Sequence, residues 1–440
     1  MKDHSINIQE ALGLAIKYHQ SGRLEEAESI YQQILKISPD NIDALHLLGI
    51  LAYGLKEFEL AAELINKAVQ LNPGYAEAHY NLGKVYQVQG RLDDAIASYQ
   101  RAITINPGYA EAHNNLGNAF LDQGKLDDAI ASYQRAIAAN QDDAYSHYNL
   151  GNALREQGRL DDAIDSYRHA ITLNPGYSKA RNSLGHTLQE QGKLEEAIAT
   201  YRYAIEKDPD NSIAAHMLAA LAGQTTETAP QRYVRTLFDY CAKRFEDQLV
   251  KKLEYRSPTL LRQALDSLLK EGQRFQNAID LGCGTGLSGV AFRPIVNRLS
   301  GIDISPNMIE EAGRKAIYDS LQVGDIHDFL RETDETYDLF IATDVLVYIG
   351  NLRPIFSSVR DSLLSGAYFV FLTECMDSTS SPQGKDYLLR QTGRYAHSLS
   401  YIKSLAGEYN FEITICRQAV IRRHNEEGIM GDHLVLRYLM

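Results

Sequence analysis

Tryptophan is absent from this 440-residue chain, cysteine occurs only four times, and no apolar run reaches membrane-spanning length. Cys241, Cys283, Cys375 and Cys416 stand far apart and form no CxxC pair, which argues against a disulfide framework and a zinc site and implies reduced, structural thiols. A membrane-spanning helix needs about 18 or more consecutive apolar residues, so no membrane insertion is expected. The opening Met1-Lys2-Asp3-His4-Ser5 lacks the apolar stretch of a secretory signal, so the expected setting is cytoplasmic. A basic tract is missing as well. Net charge is −13, with 19 Lys+Arg against 29 Asp+Glu in residues 1–222 and 25 against 28 in the remainder. Nucleic acid is bound by displacing counterions with Lys and Arg, so no nucleic-acid partner is expected. The length suggests two or three folding units.

The first half of the chain is periodic. Gly49, Gly83, Gly117, Gly151 and Gly185 recur every 34 residues, and Ala61, Ala95, Ala129, Ala163 and Ala197 keep the same phase. So do Tyr99, Tyr133, Tyr167 and Tyr201, and Pro73, Pro107, Pro175 and Pro209; Gly22, Ala27, Tyr31 and Pro39 extend the pattern upstream. About six units fill residues 8–211. Each reads as two helices, with apolar residues at three- and four-residue steps on either side of a polar turn such as Gln89-Gly90-Arg91. Asp93-Asp94, Asp127-Asp128 and Asp161-Asp162 open the second helices, where carboxylates meet the positive end of the helix dipole. Small residues let the two helices approach, and the tyrosines are expected to fill the space between neighbouring units.

Ala110-Glu111-Ala112-His113-Asn114-Asn115-Leu116-Gly117-Asn118-Ala119-Phe120 resembles the first helix of the tetratricopeptide repeat (TPR). His79, His113 and His147 stand at its consensus tryptophan position; one per repeat, with no cysteine or carboxylate in phase, they read as packed residues, and no metal is expected. Ala214 to Ala219 look like a final capping helix, so the array is expected over residues 1–222. The resemblance implies a concave groove for an extended segment of a protein or peptide partner, at Tyr80, Asn81, Lys84, Asn114, Asn115, Asn118, Tyr148, Asn149, Asn152 and Arg155. Amide side chains can meet both donors and acceptors of a peptide backbone, though solvated surface residues would look the same.

Residues 223–231, small and polar up to Pro230, read as a linker to a second domain over 232–440. There β-branched runs alternate with helical stretches: Asn277 to Asp280, Leu299 to Asp303, Tyr337 to Ile341 and Ala367 to Leu372. That alternation gives βαβ units and a mainly parallel sheet with ligands at the strands' carboxyl ends. The first strand runs into Asp280-Leu281-Gly282-Cys283-Gly284-Thr285-Gly286, a loop whose backbone can approach a ligand closely. Gly284, Gly286 and Gly289 also satisfy the dinucleotide pattern GxGxxG, a weak signal by itself. A carboxylate at the strand end would repel a pyrophosphate but favours the ammonium and sulfonium of S-adenosylmethionine (SAM). Asp303 closes the second strand, placed to accept two ribose hydroxyls, and Asp325 is placed to accept from the adenine amine with Ile326 against its ring.

These stretches, with Gly301 to Met308 and Tyr337 to Asp344, resemble the motifs of the class I SAM-dependent methyltransferases, and more narrowly a bacterial group of predicted TPR-containing methyltransferases. The resemblance implies an N-terminal all-α TPR superhelix followed by an α/β Rossmann-like domain with a seven-stranded mixed sheet, its last strand, about Asp432 to Tyr438, antiparallel. It assigns the cofactor to Asp280, Gly282, Cys283, Gly284, Gly286, Asp303, Ile304, Met308, Asp325, Ile326 and Thr343. Tyr240, Phe245 and Tyr255 form either a lid over it or the apolar face of a helix. For the methyl acceptor, the candidate residues are Asp344 and Tyr348, Glu374, and Tyr395 and His397, the last a possible general base. Two functions follow: a methyltransferase recruited to a protein by its repeats, or a repeat scaffold whose SAM-binding fold is not catalytic. The acceptor's identity is not encoded in any of these motifs.

Overall fold

The computed structural model describes residues 7–242, 245–246, 255–376, 384–424 and 427–439. It divides into two compact units, Met1–Lys193 and Leu194–Met440. The first is helical: α1 (Ile8–Gln20) and α2 (Leu24–Ile37), α3 (Ile42–Gly54) and α4 (Phe58–Leu71), α5 (Ala76–Val88) and α6 (Leu92–Ile105), α7 (Ala110–Asp122) and α8 (Leu126–Ala139), α9 (Ala144–Glu156) and α10 (Leu160–Leu173), and α11 (Ser178–Glu190). No described helix is long and apolar enough to cross a membrane. Glycine ends the first helix of most repeats, with Gly22, Gly90, Gly124, Gly158 and Gly192 at φ between 73° and 83°. Helices α4, α6 and α10 stop at Asn-Pro: Asn106 Oδ1 accepts from the Gly108 amide at 3.2 Å, and Asn72 and Asn174 do the same for Gly74 and Gly176.

The repeat tyrosines pack in both directions. Tyr31 and Tyr99 join cores with the first helix of the following repeat, Tyr31 with Leu48 and Leu51 and Tyr99 with Leu116 and Ala119, as expected, and the rings also fill the space inside their own repeat. A Cβ at Gly83, Gly117 or Gly151 would stand 2.6, 2.6 and 2.7 Å from the rings of Tyr99, Tyr133 and Tyr167, so the glycine and the buried ring sixteen residues later are one packing unit. Polar bonds add to these apolar contacts between neighbouring repeats. Gln123 Nε2 donates to Asp93 Oδ1 of the preceding repeat at 2.8 Å, Gln157 to Asp127 at 2.5 Å and Gln191 to Asp161 at 2.7 Å. His79, His113 and His147 each turn Nε2 to the carbonyl six residues upstream, at 3.2, 3.0 and 3.3 Å.

The second unit begins with α12 (Leu194–Lys207) and α13 (Ser212–Leu221), upstream of the boundary expected near residue 222. The reason is packing: His216 Nε2 on α13 donates to the Gly393 carbonyl at 2.9 Å, and its ring lies 4.8 Å from that of Tyr233. After α14 (Gln231–Cys241) and α15 (Ser257–Asp266) the chain alternates: β1 (Phe275–Leu281), α16 (Leu287–Phe292), β2 (Val296–Asp303), α17 (Pro306–Arg314), β3 (Ser320–Val323), α18 (Ile326–Glu332), β4 (Tyr337–Ala342), α19 (Arg353–Asp361) and β5 (Leu363–Cys375). Then come β6 (Tyr387–Leu389), β7 (Tyr395–His397), α20 (Leu399–Glu408), β8 (Phe411–His424) and β9 (Glu427–Tyr438). Strands run parallel in the order β3-β2-β1-β4-β5, and β9 pairs antiparallel with both β5 and β8. Those seven strands are the expected mixed sheet, with the last strand longer than expected at its start. The hairpin β6–β7, which joins the end of β5 through Glu374↔Ala396 and Cys375↔His397, raises the described total to nine.

One apolar core fills the space between the sheet and α18, α19 and α20. Phe356 sits at its centre, with ring centroids of Phe369, Phe371 and Phe411 at 5.6, 5.8 and 5.9 Å. Sheet order reverses between β1 and β4, and such a switch opens a crevice at the strands' carboxyl ends.

Candidate functional site

A cavity of about 370 Å³ occupies that crevice. Its floor is the turn after β1. Gly282, Gly284 and Gly286 there adopt φ of 67°, 53° and 90°, which L side chains rarely tolerate. A Cβ at Gly282 would stand 2.6 Å from Val345, whereas at Gly284 it would meet nothing within 4 Å, so this backbone borders open space. Asp303, at the end of β2, ties the turn down: Oδ2 accepts from the Gly284 amide at 2.9 Å and Oδ1 from the Ser305 amide at 2.8 Å. Burial pushes its carboxyl up to about 6, against the opposing pull of those two amides.

Of the residues assigned to the cofactor, Gly282, Cys283, Gly284, Asp303, Ile304, Asp325, Ile326 and Thr343 line the cavity. Asp325 also caps α18, accepting from the His327 and Asp328 amides at 2.8 and 3.2 Å, and Thr343 bonds Ser288 through the two hydroxyls. Asp280, Gly286 and Met308 are not part of the lining. Asp280 is fully buried, with Oδ2 accepting from Tyr318 OH at 2.7 Å and Oδ1 lacking a donor; burial raises its pKa to about 7 despite that bond. Gly286 instead starts α16, and Met308 is buried within α17. Tyr318 also packs over Gly289, so the last glycine of the GxGxxG pattern makes room for a tyrosine ring. The side chain of Tyr240 lies outside the described residues.

Asp344 and Tyr348 also line the cavity, while Glu374, Tyr395 and His397 do not. Tyr395 shares a 2.5 Å hydroxyl contact with Thr226. His397 is buried in β7, with Nε2 donating to the Ile349 and Gly350 carbonyls at 2.9 and 3.1 Å. Burial lowers its pKa to about 4, and it faces main chain, so the general-base expectation for His397 does not hold. Glu374 is enclosed by arginines; burial raises its carboxyl but is outweighed by Arg394, Arg422 and Arg390, which leave it below the ordinary value.

The stretch expected to be a linker is a wall of this cavity. Glu227 to Gln231 line it, with the Glu227 carbonyl accepting from the amides of Gly350 and Asn351 at 2.8 Å each, and the Ala229 amide donating to Tyr348 O at 2.9 Å. Thr228 forms a bridge with Ile349. Such backbone pairing leaves no mark in a polar, proline-ended sequence, which is why composition alone reads it as free chain. Val234 and Phe238 of α14, with Phe245 and Tyr255, complete the apolar side, as the lid reading expects for the last two. Glu246 accepts from Thr285 Oγ1 at 2.7 Å and pairs with Lys315, fixing this side to the turn.

In the first unit, the amides expected to face a partner are engaged with one another. Asn115 donates to Tyr80 OH at 3.1 Å, Asn149 to Asn114 Oδ1 at 3.1 Å, and Asn81 Nδ2 lies 3.0 Å from His46 Nε2. Asn118 Oδ1 accepts from Tyr133 OH, and Asn152 Oδ1 from Tyr167 OH, at 2.7 and 2.8 Å. Asn152 is buried, which corrects its placement on an open surface. Lys84 lies over the Tyr53 and Tyr80 rings, Tyr148 packs 5.1 Å from Tyr177, and Arg155 meets His186 at 2.9 Å.

Comparison with known proteins agrees with both units. Residues 253–414 match a family model described as a methyltransferase domain. Residues 114–178, and the stretches 18–80, 52–97 and 154–222, match tetratricopeptide-repeat models, and 88–124 a TPR-repeat model. The chain therefore carries TPR repeats followed by a methyltransferase domain. It is 32% identical over 102 residues to human (Homo sapiens) tetratricopeptide repeat protein 7A, covering 21% of this chain and 12% of that protein. It is 24% identical over 144 residues to the malonyl-[acyl-carrier protein] O-methyltransferase of Hamiltonella defensa subsp. Acyrthosiphon pisum (strain 5AT), covering 32% of this chain and 55% of that protein. The crystal structure of MamA aligns with a TM-score of 0.36 at 28% identity, over 38% of this chain and 96% of that one. The chain thus spans only parts of the curated relatives it matches.

Proposed function

We propose that the second unit is a SAM-dependent methyltransferase of the class I type, working in the cytoplasm, and that the repeats recruit the protein that is, or holds, its substrate. The observation carrying this reading is Asp303, one carboxylate that both fixes the glycine turn and borders the cavity. Each of its oxygens has a lone pair left after the backbone bond, enough to accept two vicinal hydroxyls. The residues fit this cofactor: a glycine backbone open to the cavity at Gly284, carboxylates at Asp303 and Asp325 for hydroxyl and amine donors, and Ile304 and Ile326 as apolar surface for a purine. A buried carboxylate favours a sulfonium and disfavours a pyrophosphate. SAM bound there supplies a methyl group already activated for in-line displacement. Phe238, Phe245 and Tyr255 exclude water from the cavity, while Asp344 and Tyr348 orient the acceptor and the Asp344 carboxylate receives its proton where the nucleophile is oxygen or nitrogen.

For the repeats, the supporting feature is the row of half-buried side chains Tyr80, Asn81, Asn114, Asn115, Asn118, Tyr148 and Asn149, whose amides have more donors and acceptors than their internal bonds use. Titration calorimetry on the full chain is the test: heat with SAM, none with NAD, and a loss of at least about tenfold in SAM affinity in Asp303→Ala. Heat with NAD alone would overturn the cofactor assignment.

A further inference from the structure

Arg394 is a buried cation, 6% exposed, and its three donor nitrogens go to three different places. Nε donates to Glu374 Oε1 at 2.7 Å, Nη1 to Tyr348 OH at 3.0 Å, and Nη2 pairs with Asp344 Oδ1. Glu374, wholly buried and also held by Arg422 at 3.0 Å, anchors the guanidinium from behind. The other two partners are the acceptor-end residues of the cavity. Asp344 sits at φ 56°, a left-handed conformation that strains a non-glycine residue and persists only when something holds it. With Oδ1 taken, Oδ2 is left to accept. Tyr348 spends a lone pair on Arg394, so its own proton is left to donate.

The turn that carries Arg394 is clasped by the last helix of the repeat array. Gly393, at φ 78°, accepts from His216 on α13, and a Cβ there would stand 2.7 Å from Tyr233 OH and 3.0 Å from Met217 Sδ. We infer that Arg394 is the positioning residue of the acceptor end, that it presents one acceptor (Asp344) and one donor (Tyr348) to a protic group of the methyl acceptor, and that α13 sets its position through Gly393. The inference rests on the SAM-dependent reading of the cavity.

The test compares Arg394→Gln, Arg394→Lys, Asp344→Asn, Tyr348→Phe, His216→Ala and the double variant Arg394→Gln/Asp344→Asn in the full chain. SAM affinity is read by calorimetry, melting temperature by circular dichroism, and tritium transfer from labelled SAM into a cell extract by counting the modified product. Arg394→Gln should leave SAM affinity within about threefold and cut transfer by about 100-fold, the loss expected when a reacting group shifts by an ångström. The double variant should fall no further than its worse single, Arg394→Lys should recover part of the transfer, and His216→Ala should lower transfer more than SAM affinity. Multiplicative losses in the double variant, or loss of SAM binding in Arg394→Gln to the extent seen in Asp303→Ala, would overturn the inference. Should Arg394→Gln fail to fold, Tyr348→Phe keeps the test open: unchanged transfer at an unchanged melting temperature refutes it. A wild-type chain that does not bind SAM sinks the cofactor reading itself, and this inference with it; one that binds SAM, with only the acceptor-end variants behaving otherwise, sinks the inference alone.

Discussion

Asp303 gives one carboxylate two tasks, and its protonation follows from both. Burial holds its pKa near 6, above the 3.8 of a free aspartate. The carboxylate form is needed to balance a sulfonium and accept hydroxyls, so SAM affinity should be flat above pH 7 and fall by up to tenfold per unit below about pH 6. Calorimetry from pH 5 to 8 reads this directly, and Asp303→Asn should bind weakly without that slope. At this scale the sequence was legible wherever a residue's role is set by its neighbours along the chain. Asp303 and Asp325 end or follow strands, and both border the cavity. Asp280 occupies an equally suggestive position but is claimed by Tyr318, 38 residues away. His397 and Tyr395 were misread for the same reason: their partners, Ile349 and Thr226, come from distant segments.

The helix pair of a repeat is held by a glycine and a tyrosine ring. Gly117→Ala forces a methyl against Tyr133 and should cost about 1–3 kcal/mol, seen as a lower melting temperature. Gly13→Ala is the control: exposed in α1 with nothing within 4 Å of its Cβ, it should stabilise by about 0.5–1 kcal/mol. The 34-residue period announced both residues, but not that they touch, because periodicity gives phase and no distance. In the β6–β7 hairpin, His397 has a pKa near 4 when folded against 6.5 when free. A lowered histidine pKa means the unfolded chain binds more protons, so its contribution to stability is complete above about pH 6.5 and lost as pH falls towards 4. Asp280 and Asp303, raised on folding, act in the opposite sense over an overlapping range. The check is therefore a comparison of variants: His397→Gln should be less stable than wild type at pH 7.5, with the gap narrowing at pH 5 in thermal melts.

The division between the two compact units falls inside the repeat array. Leu194–Met440 includes α12 and α13, and α13 supplies His216 and Met217 to the turn at Gly393. A fragment of residues 194–440 should melt cooperatively and bind SAM with near full-chain affinity. One starting at residue 223 loses the partners of Tyr233 and Gly393 and should melt several degrees lower, consistent with about 1–3 kcal/mol for removed buried contacts. Calorimetry and thermal melts of the two fragments check this. By itself the sequence determined the order of the two architectures, the repeat period, the alternation that makes the sheet, and the glycine turn with Asp303. Each of these depends on local spacing, which strand and helix geometry convert directly into position. Only the tertiary structure decided that residues 227–231 wall the cavity, that Asp280 serves Tyr318, and that Arg394 gathers Asp344, Tyr348 and Glu374. Those contacts join residues 20 to 124 positions apart through backbone pairing and buried charge, and they form only once the sheet has brought the segments together.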